Sequence, residues 1–300
     1  MRVFLTGATG FIGSRITRLL VQGGHEVLGL CRSDDSARRL REAGAQAHRG
    51  TLEDPASLAA GARVADAVIH TAFDHDFSRF VENTRKDSRV IHAMGEALLG
   101  TDKPLLITSG TGMGGGGPGV LAVEDVLDLQ HPNPRSASEH AAEALRAQGV
   151  SVAVVRLPQV HDTVKQGLTT PLVALARAKG VAAYLEDGAN RWPAAHVDDV
   201  ARLYGLALEH HAAGARWHAV AEEGIAMREI AEAIARGLRV PAVSLKRDEA
   251  AEHFGWMAGF AAMDMPASSR LTRERLAWNP TGPTLLEDLA AMDYSAFTAG

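Results

Sequence analysis

The chain has 300 residues, a formal net charge of −5 at pH 7 and one cysteine, Cys31. Mild acidity and scattered basic residues argue against nucleic acid or an anionic membrane as a partner, and no apolar run is long enough to cross a membrane. A single cysteine excludes an internal disulfide and suits a reducing cytoplasm, and the N-terminus enters a strand without the pattern of a signal peptide. No Cys or His spacing predicts a metal site. The length suits one large α/β unit or two coupled domains.

A glycine-rich turn follows the first apolar run, residues 3–5, and precedes a helical stretch. Gly7 allows the sharp turn, Gly10 lets a pyrophosphate approach the backbone, and Gly13 lets the helix pack close to the strand. The helix N-terminus adds N–H groups and partial positive charge. The sequence therefore predicts dinucleotide binding, with contacts from Gly7, Thr9, Gly10, Phe11 and Ile12.

The second apolar run ends at Cys31 and is followed by Arg32 and Ser33. An NAD site usually places Asp or Glu here to bond the ribose 2′-hydroxyl. Arg32 can instead pair with a 2′-phosphate through a charge-assisted fork, and Ser33 can donate a further bond. We therefore predict NADP(H) as the cofactor, with a merely solvated Arg32 as the alternative. Asp34 and Asp35 are expected to cap the next helix.

Short apolar runs bounded by turn residues alternate with helical stretches through the first half of the chain. Strands are predicted at 26–30, 67–70, 104–108 and 150–155, with helices at 76–99 and 136–147. Such alternation implies right-handed crossovers and a parallel sheet covered on both faces. The predicted fold class is therefore α/β, a doubly wound parallel Rossmann sheet. After Pro158 the pattern loosens, with helices at 168–179, 198–209 and 227–237 and strands at 181–185 and 216–220.

Further segments share a pattern with a known family. They are GTLEDPASL at 50–58, VIHTA at 68–72, LITSGT at 106–111, VVRLP at 154–158 and AHVDDVA at 195–201. Together with the glycine turn, they resemble the extended and atypical short-chain dehydrogenase/reductases, the NAD(P)-dependent epimerase/dehydratase-like branch. The resemblance covers most of the chain. It implies that Leu52 lies against the adenine and that the cofactor also contacts Thr71, Ala72, Phe73, Ser109 and Leu157.

The resemblance also implies a domain division that composition does not mark. Residues 1–158 are expected to form the NADP-binding Rossmann domain and 159–300 a smaller C-terminal substrate lobe. Within the second part, 191–221 is expected to return to the main sheet.

Members of this family generally use a Ser or Thr hydroxyl together with a Tyr-x-x-x-Lys pair. The Tyr passes a proton to or from the substrate oxygen, and the Lys lowers the pKa of that Tyr and holds the nicotinamide ribose. Tyr184, Tyr204 and Tyr294 are the only tyrosines of this chain, and none has Lys four residues later. On the matching helix, Arg135 stands where Tyr is expected and Glu139 where Lys is expected. The resemblance therefore supports the fold and the cofactor but not the usual mechanism.

Several groups remain for the chemistry. Ser109, at the end of a central strand, is the first candidate to bond a substrate oxygen; Thr111 is the alternate, and a backbone-bonded turn role is the non-catalytic interpretation. His75 follows the fourth strand and can protonate an alkoxide near neutral pH. Arg135 can bond a substrate carbonyl or carboxylate. Glu139 can pair with Arg135 or bond the nicotinamide ribose, unless the two form a solvated i,i+4 pair.

The sequence thus predicts an NADP(H)-dependent oxidoreductase that reduces a ketone, aldehyde or related C=X bond. A small or medium apolar substrate is expected from family analogy and from side chains such as Trp256 and Phe260. His161 is expected to border the site and His196 to be structural. Two alternatives stay open: a nucleotide-sugar-type epimerase or dehydratase that retains its cofactor, and a non-catalytic NADP(H) sensor similar to NmrA-like proteins. A homodimer also stays open.

Overall fold

The computed structural model describes residues 1–115 and 119–295. Its strands are β1 (Arg2–Thr6), β2 (Glu26–Cys31), β3 (Gln46–Arg49), β4 (Ala67–His70), β5 (Leu105–Gly110), β6 (Val152–Leu157), β7 (Gln159–His161), β8 (Ala182–Leu185), β9 (Arg191–His196), β10 (Arg216–His218), β11 (Glu222–Ala226) and β12 (Ala242–Leu245). Its α-helices are α1 (Phe11–Gln22), α2 (Asp34–Glu42), α3 (Pro55–Val64), α4 (Phe80–Glu96), α5 (Ser136–Ala147), α6 (Thr169–Lys179), α7 (Val197–Glu209), α8 (Met227–Leu238), α9 (Ala250–Phe254), α10 (Ala258–Ala261), α11 (Arg270–Leu276) and α12 (Leu285–Ala291).

The central sheet has seven strands in the order β10-β6-β5-β4-β1-β2-β3, and its neighbouring strands are all parallel. The order reverses at β1, where Phe4 pairs with Leu28 of β2 on one side and with Val68 of β4 on the other. In a doubly wound sheet, ligands bind beyond the C-terminal strand ends at such a reversal. The predicted fold class, an α/β doubly wound Rossmann sheet, is confirmed.

Helices cover both faces of this sheet because its strands are apolar on both sides. Val3 and Leu5 belong to a buried cluster that includes Leu203 of α7. Phe4, between them, belongs to a different cluster that includes Leu145 of α5. This alternation follows from the two-residue period of a strand and produces a core layer on each face.

The rest of the chain adds two smaller sheets and a third apolar cluster. β7, β9 and β11 form a three-stranded sheet, and β8 pairs with β12. Trp192, Ile230 and Leu285 are among the buried residues of this third cluster. None of the helices within the described ranges is long and apolar enough to span a membrane.

Segment 191–221 divides between these sheets. β10 lies in the central sheet beside β6, whereas β9 pairs with β7 and β11. The prediction that this whole segment returns to the main sheet is therefore corrected for β9, whose backbone hydrogen bonds go elsewhere. The division into a domain at 1–158 and a lobe at 159–300 stays a prediction.

Candidate active site

The glycine turn joins β1 to α1 at the reversal of strand order. Gly7 has φ +70°, and a Cβ there would lie 2.8 Å from Thr71 Oγ1. A Cβ on Gly13 would lie 2.1 Å from the Gly7 carbonyl oxygen, so α1 approaches the turn this closely only with glycine at that position. Beyond its chain neighbours, a Cβ on Gly10 would meet one described atom within 4 Å, the Gly7 carbonyl oxygen at 3.1 Å. The turn is therefore an open cradle above a tightly packed base.

The first turn of α1 can receive an anion. Phe11 and Ile12 lie at the helix start, where backbone N–H groups have no intrahelical acceptor. The first turn contains no acidic side chain that would compete for them. Thr9, in the turn itself, is held by Arg39, whose Nη2 donates to the Thr9 carbonyl oxygen at 3.0 Å. This combination of a glycine cradle and free N–H groups fits the pyrophosphate of a dinucleotide.

Arg32 follows β2 beyond this cradle. Its side chain is exposed and forms no ion pair with any residue in the described ranges. The acidic neighbour Asp34 pairs instead with Arg49, which lies at the end of β3. Leu52 is half-buried and packs against the core cluster that contains Leu58 of α3. An unpaired cation therefore stands at the C-terminal end of β2, as expected for an Arg32 that meets a 2′-phosphate.

The cap of α2 differs from expectation. Ser33 is the N-cap of α2, and its Oγ accepts a hydrogen bond from the Ser36 backbone N–H at 3.2 Å. The prediction that Asp34 and Asp35 cap this helix is wrong, because both already lie in its first turn. Their charges still favour the helix N-terminus. Asp54 is the N-cap of α3 but makes no capping bond with its side chain.

The segment after β4 lies beside the glycine turn. Thr71 Oγ1 donates to the Thr6 carbonyl oxygen at 2.8 Å, and the Ala72 backbone N–H donates to Thr6 Oγ1 at 3.2 Å. The ring of Phe73 stacks against Arg135, whose guanidinium carbon is 4.0 Å from the ring centre. The structure thus brings three predicted cofactor contacts and Arg135 together at the switch point. Leu157, half-buried, ends β6 on the far side of β5.

A buried carboxylate holds Arg135 in this position. The guanidinium donates to Asp87 Oδ2 at 2.7 Å and to the Thr108 carbonyl oxygen at 2.9 Å. Asp87, on α4, is 1% exposed; it also accepts from Ser138 Oγ at 2.6 Å and bonds His70 Nε2 at 3.0 Å. Burial alone would raise the pKa of Asp87, but the charge of Arg135 and these hydrogen bonds outweigh burial and hold it below its ordinary value. Asp87 is therefore a carboxylate that fixes the arginine.

Asp87 is not among the site residues predicted from the sequence, although the pattern of α4 indicates a buried carboxylate. Asp87 shares one face of α4 with Val90, Ile91 and Met94, which are all fully buried. A carboxylate in that stripe must be buried with them, and a buried carboxylate needs a cationic or hydrogen-bonding partner. The identity of the partner, 48 residues later in the chain, is given only by the fold.

Glu139 points away from Arg135. It is 1% exposed, and its two oxygens accept from Arg156 Nε at 2.7 Å and Nη2 at 2.8 Å. The predicted contact between Glu139 and Arg135 is wrong, as is the solvated pair, because Arg156 of β6 binds Glu139 beneath α5 while Arg135 binds Asp87. Burial and the charge of Arg156 lower the pKa of the adjacent His218 to about 3. This second buried pair joins α5 to the central sheet.

Two hydroxyl groups stand at the end of β5. Ser109 is 3% exposed, and its Oγ has no hydrogen-bond partner among the described residues. Ser109 pairs in register with Arg156 and lies on the opposite face from Thr108, whose Oγ1 is 2.6 Å from the Tyr204 hydroxyl. Thr111, in the following 3₁₀ turn, is 5% exposed and makes no side-chain hydrogen bond within the described part of the chain. Both hydroxyls retain their bonding capacity.

Tyr204 does not stand in for the missing tyrosine. It is fully buried on the α7 side of the sheet, and its hydroxyl is engaged with Thr108. Burial raises the pKa of Tyr204, which keeps the phenol protonated.

His75 lies in the loop after β4, at the mouth of the crevice beyond the C-terminal ends of β1 and β4. Its ring packs edge-on against Phe73, with 5.4 Å between ring centres. Although the side chain is exposed, partial desolvation and then the charges of Lys165 and Arg135 hold the pKa of His75 below 6.5. A lowered pKa reduces the protonated fraction at neutral pH, which weakens the case for His75 as a general acid.

The other two histidines singled out from the sequence lie against α12 and at the start of α7. His161 is fully buried, with Nδ1 2.6 Å from Asp288 Oδ2 of α12. His196 is the N-cap of α7, and its Nδ1 accepts from the Asp198 backbone N–H at 3.3 Å. His196 therefore has the structural role that the sequence predicts.

The parallel sheet, its switch point and the glycine cradle define a Rossmann protein of the dinucleotide-binding class. Residues 3–220 match the model of the NAD dependent epimerase/dehydratase family. The chain belongs to this family.

Individual relatives and solved structures match most of the chain. An uncharacterized protein of Schizosaccharomyces pombe is 47% identical over 295 residues, which are 98% of this chain and 100% of that protein. The 2-alkyl-3-oxoalkanoate reductase of Stenotrophomonas maltophilia is 27% identical over 81% of this chain and 77% of its own. A solved structure of the dTDP-glucose 4,6-dehydratase DesIV from Streptomyces venezuelae, with NAD bound, has a TM-score of 0.76 at 20% identity and covers 97% of this chain and 95% of its own.

Proposed function

We propose that the protein is an NADP(H)-dependent oxidoreductase that reduces the C=O or a related C=X bond of a small or medium apolar substrate. The observation that carries this proposal is Arg135, a permanently charged donor fixed beside the end of β5 by Asp87. Arginine stays protonated in proteins, so it can stabilise a developing alkoxide but cannot accept a proton. Hydride addition to a carbonyl carbon develops this negative charge on the oxygen, and the proton that completes the reduction has to come from another group or from water.

Positive charge at the end of β2 supports the preference for NADP(H). Arg32 is exposed and unpaired within the described ranges, while Asp34 is neutralised by Arg49. A 2′-phosphate at this position gains a charge-assisted pair with Arg32 and a hydroxyl contact from Ser33. The glycine turn and the N–H groups of Phe11 and Ile12 would hold the pyrophosphate, and Thr71, Ala72, Phe73 and Leu157 would border the nicotinamide half.

Hydride is what the bound dinucleotide supplies. Arg135 would donate an N–H to the substrate oxygen, and Ser109 would donate its unpartnered hydroxyl, with Thr111 as the alternate. Donors that are fixed before the reaction stabilise developing negative charge without reorganising, and in many enzymes this effect lowers the barrier more than any other. Since Arg135 does not release its proton, the alkoxide would take one from water or from the minor protonated form of His75. Glu139, a buried residue of α5, would hold this helix in position through its pair with Arg156 and would not contact the substrate.

Aromatic side chains support an apolar substrate. Phe77, after β4, stacks on Trp256 of the C-terminal lobe with 5.0 Å between ring centres and 10° between planes. Phe260 meets Phe77 edge-on at 6.1 Å. This aromatic group borders the same loop as Phe73, so an apolar substrate would meet it at the crevice mouth. The name of the Stenotrophomonas relative, a 2-alkyl-3-oxoalkanoate reductase, describes a substrate with a keto group, alkyl chains and a carboxylate.

An epimerase or dehydratase with retained cofactor is the second candidate, favoured by the family itself and by the name of the DesIV structure. A non-catalytic NADP(H) sensor is the third, favoured by the loss of the Tyr and Lys. We also propose a cytoplasmic location, which the single, buried Cys31 supports. A homodimer is part of the same proposal.

A panel of ketones and aldehydes, followed by the absorbance of NADPH, tests this function. The proposal expects net NADPH consumption with at least one apolar carbonyl, faster than NADH consumption, and a large loss of rate in Arg135→Met. Nucleotide that stays bound through purification and is never consumed would favour the epimerase. Exchangeable NADPH that no substrate consumes would favour the sensor.

A further inference from the structure

A tight hairpin after β7 carries a lysine toward the crevice. Asp162 Oδ1 accepts from the backbone N–H groups of Val164 and Lys165, both at 2.8 Å, and the Asp162 N–H donates to the Lys165 carbonyl oxygen at 2.9 Å. Gln166 is fully buried, pairs with His161 across the hairpin, and donates Nε2 to the Asp162 carbonyl oxygen at 2.8 Å. The hairpin therefore has a defined shape that does not depend on a ligand.

The hairpin is attached to the helix that receives the pyrophosphate. Arg15 of α1 forms an ion pair with Asp162, with 3.3 Å between Nη2 and Oδ2. Lys165 Nζ lies 5.9 Å from the ring centre of Phe11, the first residue of α1. After partial desolvation, the charge of Lys165 is the next cause of the lowered pKa of His75, which lies in the loop after β4. The ammonium therefore lies beside the start of α1, where the proposed pyrophosphate site is.

The charge of Lys165 is not neutralised within residues 1–115 and 119–295. The neighbouring cations are paired, Arg15 with Asp162 and Arg135 with Asp87. The Lys165 side chain is exposed and has no carboxylate at salt-bridge distance in the described part of the chain. An unpaired ammonium beside a helix N-terminus adds its charge to that of the free N–H groups, and both favour a phosphate.

We propose that Lys165 binds the nicotinamide-side phosphate of the dinucleotide through a charge-assisted hydrogen bond. The hairpin would then supply the cofactor-binding lysine that α5 lacks, since Glu139 occupies the matching position there. The inference rests on the proposed function only in requiring a dinucleotide at the glycine turn. Loss of Lys165 should weaken NADPH and NADH alike, because both contain the pyrophosphate. Loss of Arg32 should weaken NADPH alone, because only NADPH carries the 2′-phosphate.

Calorimetric titration of Lys165→Met with NADPH, NADH and 2′,5′-ADP tests the inference. The fragment 2′,5′-ADP lacks the nicotinamide-side phosphate. We expect Lys165→Met to weaken NADPH and NADH equally, by about three- to tenfold, because the lost contact is partly solvent-exposed. Binding of 2′,5′-ADP should be unchanged, and Lys165→Arg should restore most of the affinity. Lys103→Met is the matched control, because Lys103 lies just before β5, at the N-terminal end of the strands and away from the glycine turn. This variant should bind all three compounds as the wild type does.

The remaining outcomes overturn the inference in distinguishable ways. Unchanged affinity for NADPH and NADH would remove Lys165 from the cofactor site, and if KM for an anionic substrate then rose, the substrate would be its partner. Weakening of NADPH and 2′,5′-ADP alone would place Lys165 at the 2′-phosphate. If the wild type bound no dinucleotide at all, the proposed function would fail together with the inference, whereas a wild type that binds and a variant that binds equally well leave the function standing.

Discussion

The two halves of the crevice use their charges in different ways. On the β1–β2 side, Arg32 is exposed, and neither Arg32 nor the N–H groups at the start of α1 have a partner in the described ranges. On the β4–β5 side, the positions that differ from the family pattern are both neutralised by buried partners, Arg135 by Asp87 and Glu139 by Arg156. The first half is thus free to bind a ligand, whereas the second half fixes its own geometry.

This difference has an energetic consequence. Removing one partner of a buried ion pair leaves an uncompensated charge and costs about 3–5 kcal/mol, while an exposed, unpaired arginine contributes little to stability. Substitutions on the β4–β5 side should therefore change folding and chemistry together. Substitutions on the β1–β2 side should change binding alone.

The largest expected effect on ligand binding is at Gly10, in the binding half. Gly10→Val should abolish dinucleotide binding, with at least about a hundredfold loss, or about 2.7 kcal/mol, because the new methyl groups occupy the space where a pyrophosphate meets the backbone. Circular dichroism checks the fold and calorimetry checks binding. Gly259→Val, at a glycine whose Cβ would meet nothing within 4 Å, is the control. A folded Gly10→Val protein with normal NADPH affinity would remove the dinucleotide from this turn.

Asp87→Asn should destabilise the protein by about 3–5 kcal/mol, because Arg135 loses its buried counter-charge. Chemical denaturation measures this loss, and Asp35→Asn, in an exposed pair with Arg38, should change stability by no more than about 0.5 kcal/mol. The effect should also depend on pH. The pKa of Asp87 is lower in the folded state than its ordinary 3.8, so its contribution is present above 3.8 and is lost as the pH falls through the folded value. Equal stability of Asp87→Asn and the wild type at neutral pH would show that the pair does not hold Arg135.

Ser109→Ala should lower kcat by about ten- to a thousandfold and leave NADPH affinity little changed, if its hydroxyl stabilises charge on the substrate oxygen. Single-turnover hydride transfer is the measurement, with Thr111→Val and His75→Ala as comparisons. If Ser109→Ala transfers hydride at the wild-type rate and Thr111→Val does not, the contact belongs to Thr111. A dead His75→Ala beside an active Ser109→Ala would assign the active group to the loop after β4.

The smallest of these effects concerns the choice of cofactor. Arg32→Ala should weaken NADPH by about ten- to a hundredfold, the loss of one charge-assisted pair, and leave NADH nearly unchanged. Calorimetry with both nucleotides measures the difference. Equal weakening of NADPH and NADH would mean that Arg32 does not contact the 2′-phosphate.

Local pattern predicted several strands and helices well and the buried ion pairs poorly. The strand expected at 67–70 is β4 and the helix expected at 136–147 is α5, because both are set by short apolar periods and turn residues. The glycine turn likewise depends on its neighbours in sequence. β3, by contrast, was not predicted, since its four residues are polar or only half-buried at the sheet edge. The pairs of Arg135 with Asp87 and of Glu139 with Arg156 join residues 48 and 17 positions apart, and no local period specifies which charge meets which.

The central claim is net hydride transfer from NADPH to a substrate carbonyl at a site where Arg135 stands at the position expected for the proton-transferring tyrosine of the family. NADPH deuterated at the transferred position of the nicotinamide C4, incubated with the wild type and the best carbonyl of the panel, tests this claim by mass spectrometry of the product. The account predicts one deuterium on the former carbonyl carbon, and much less deuterated product from Arg135→Met than from the wild type at matched time. Deuterium that remains on the nucleotide while the substrate is isomerised, dehydrated or left unchanged would contradict it.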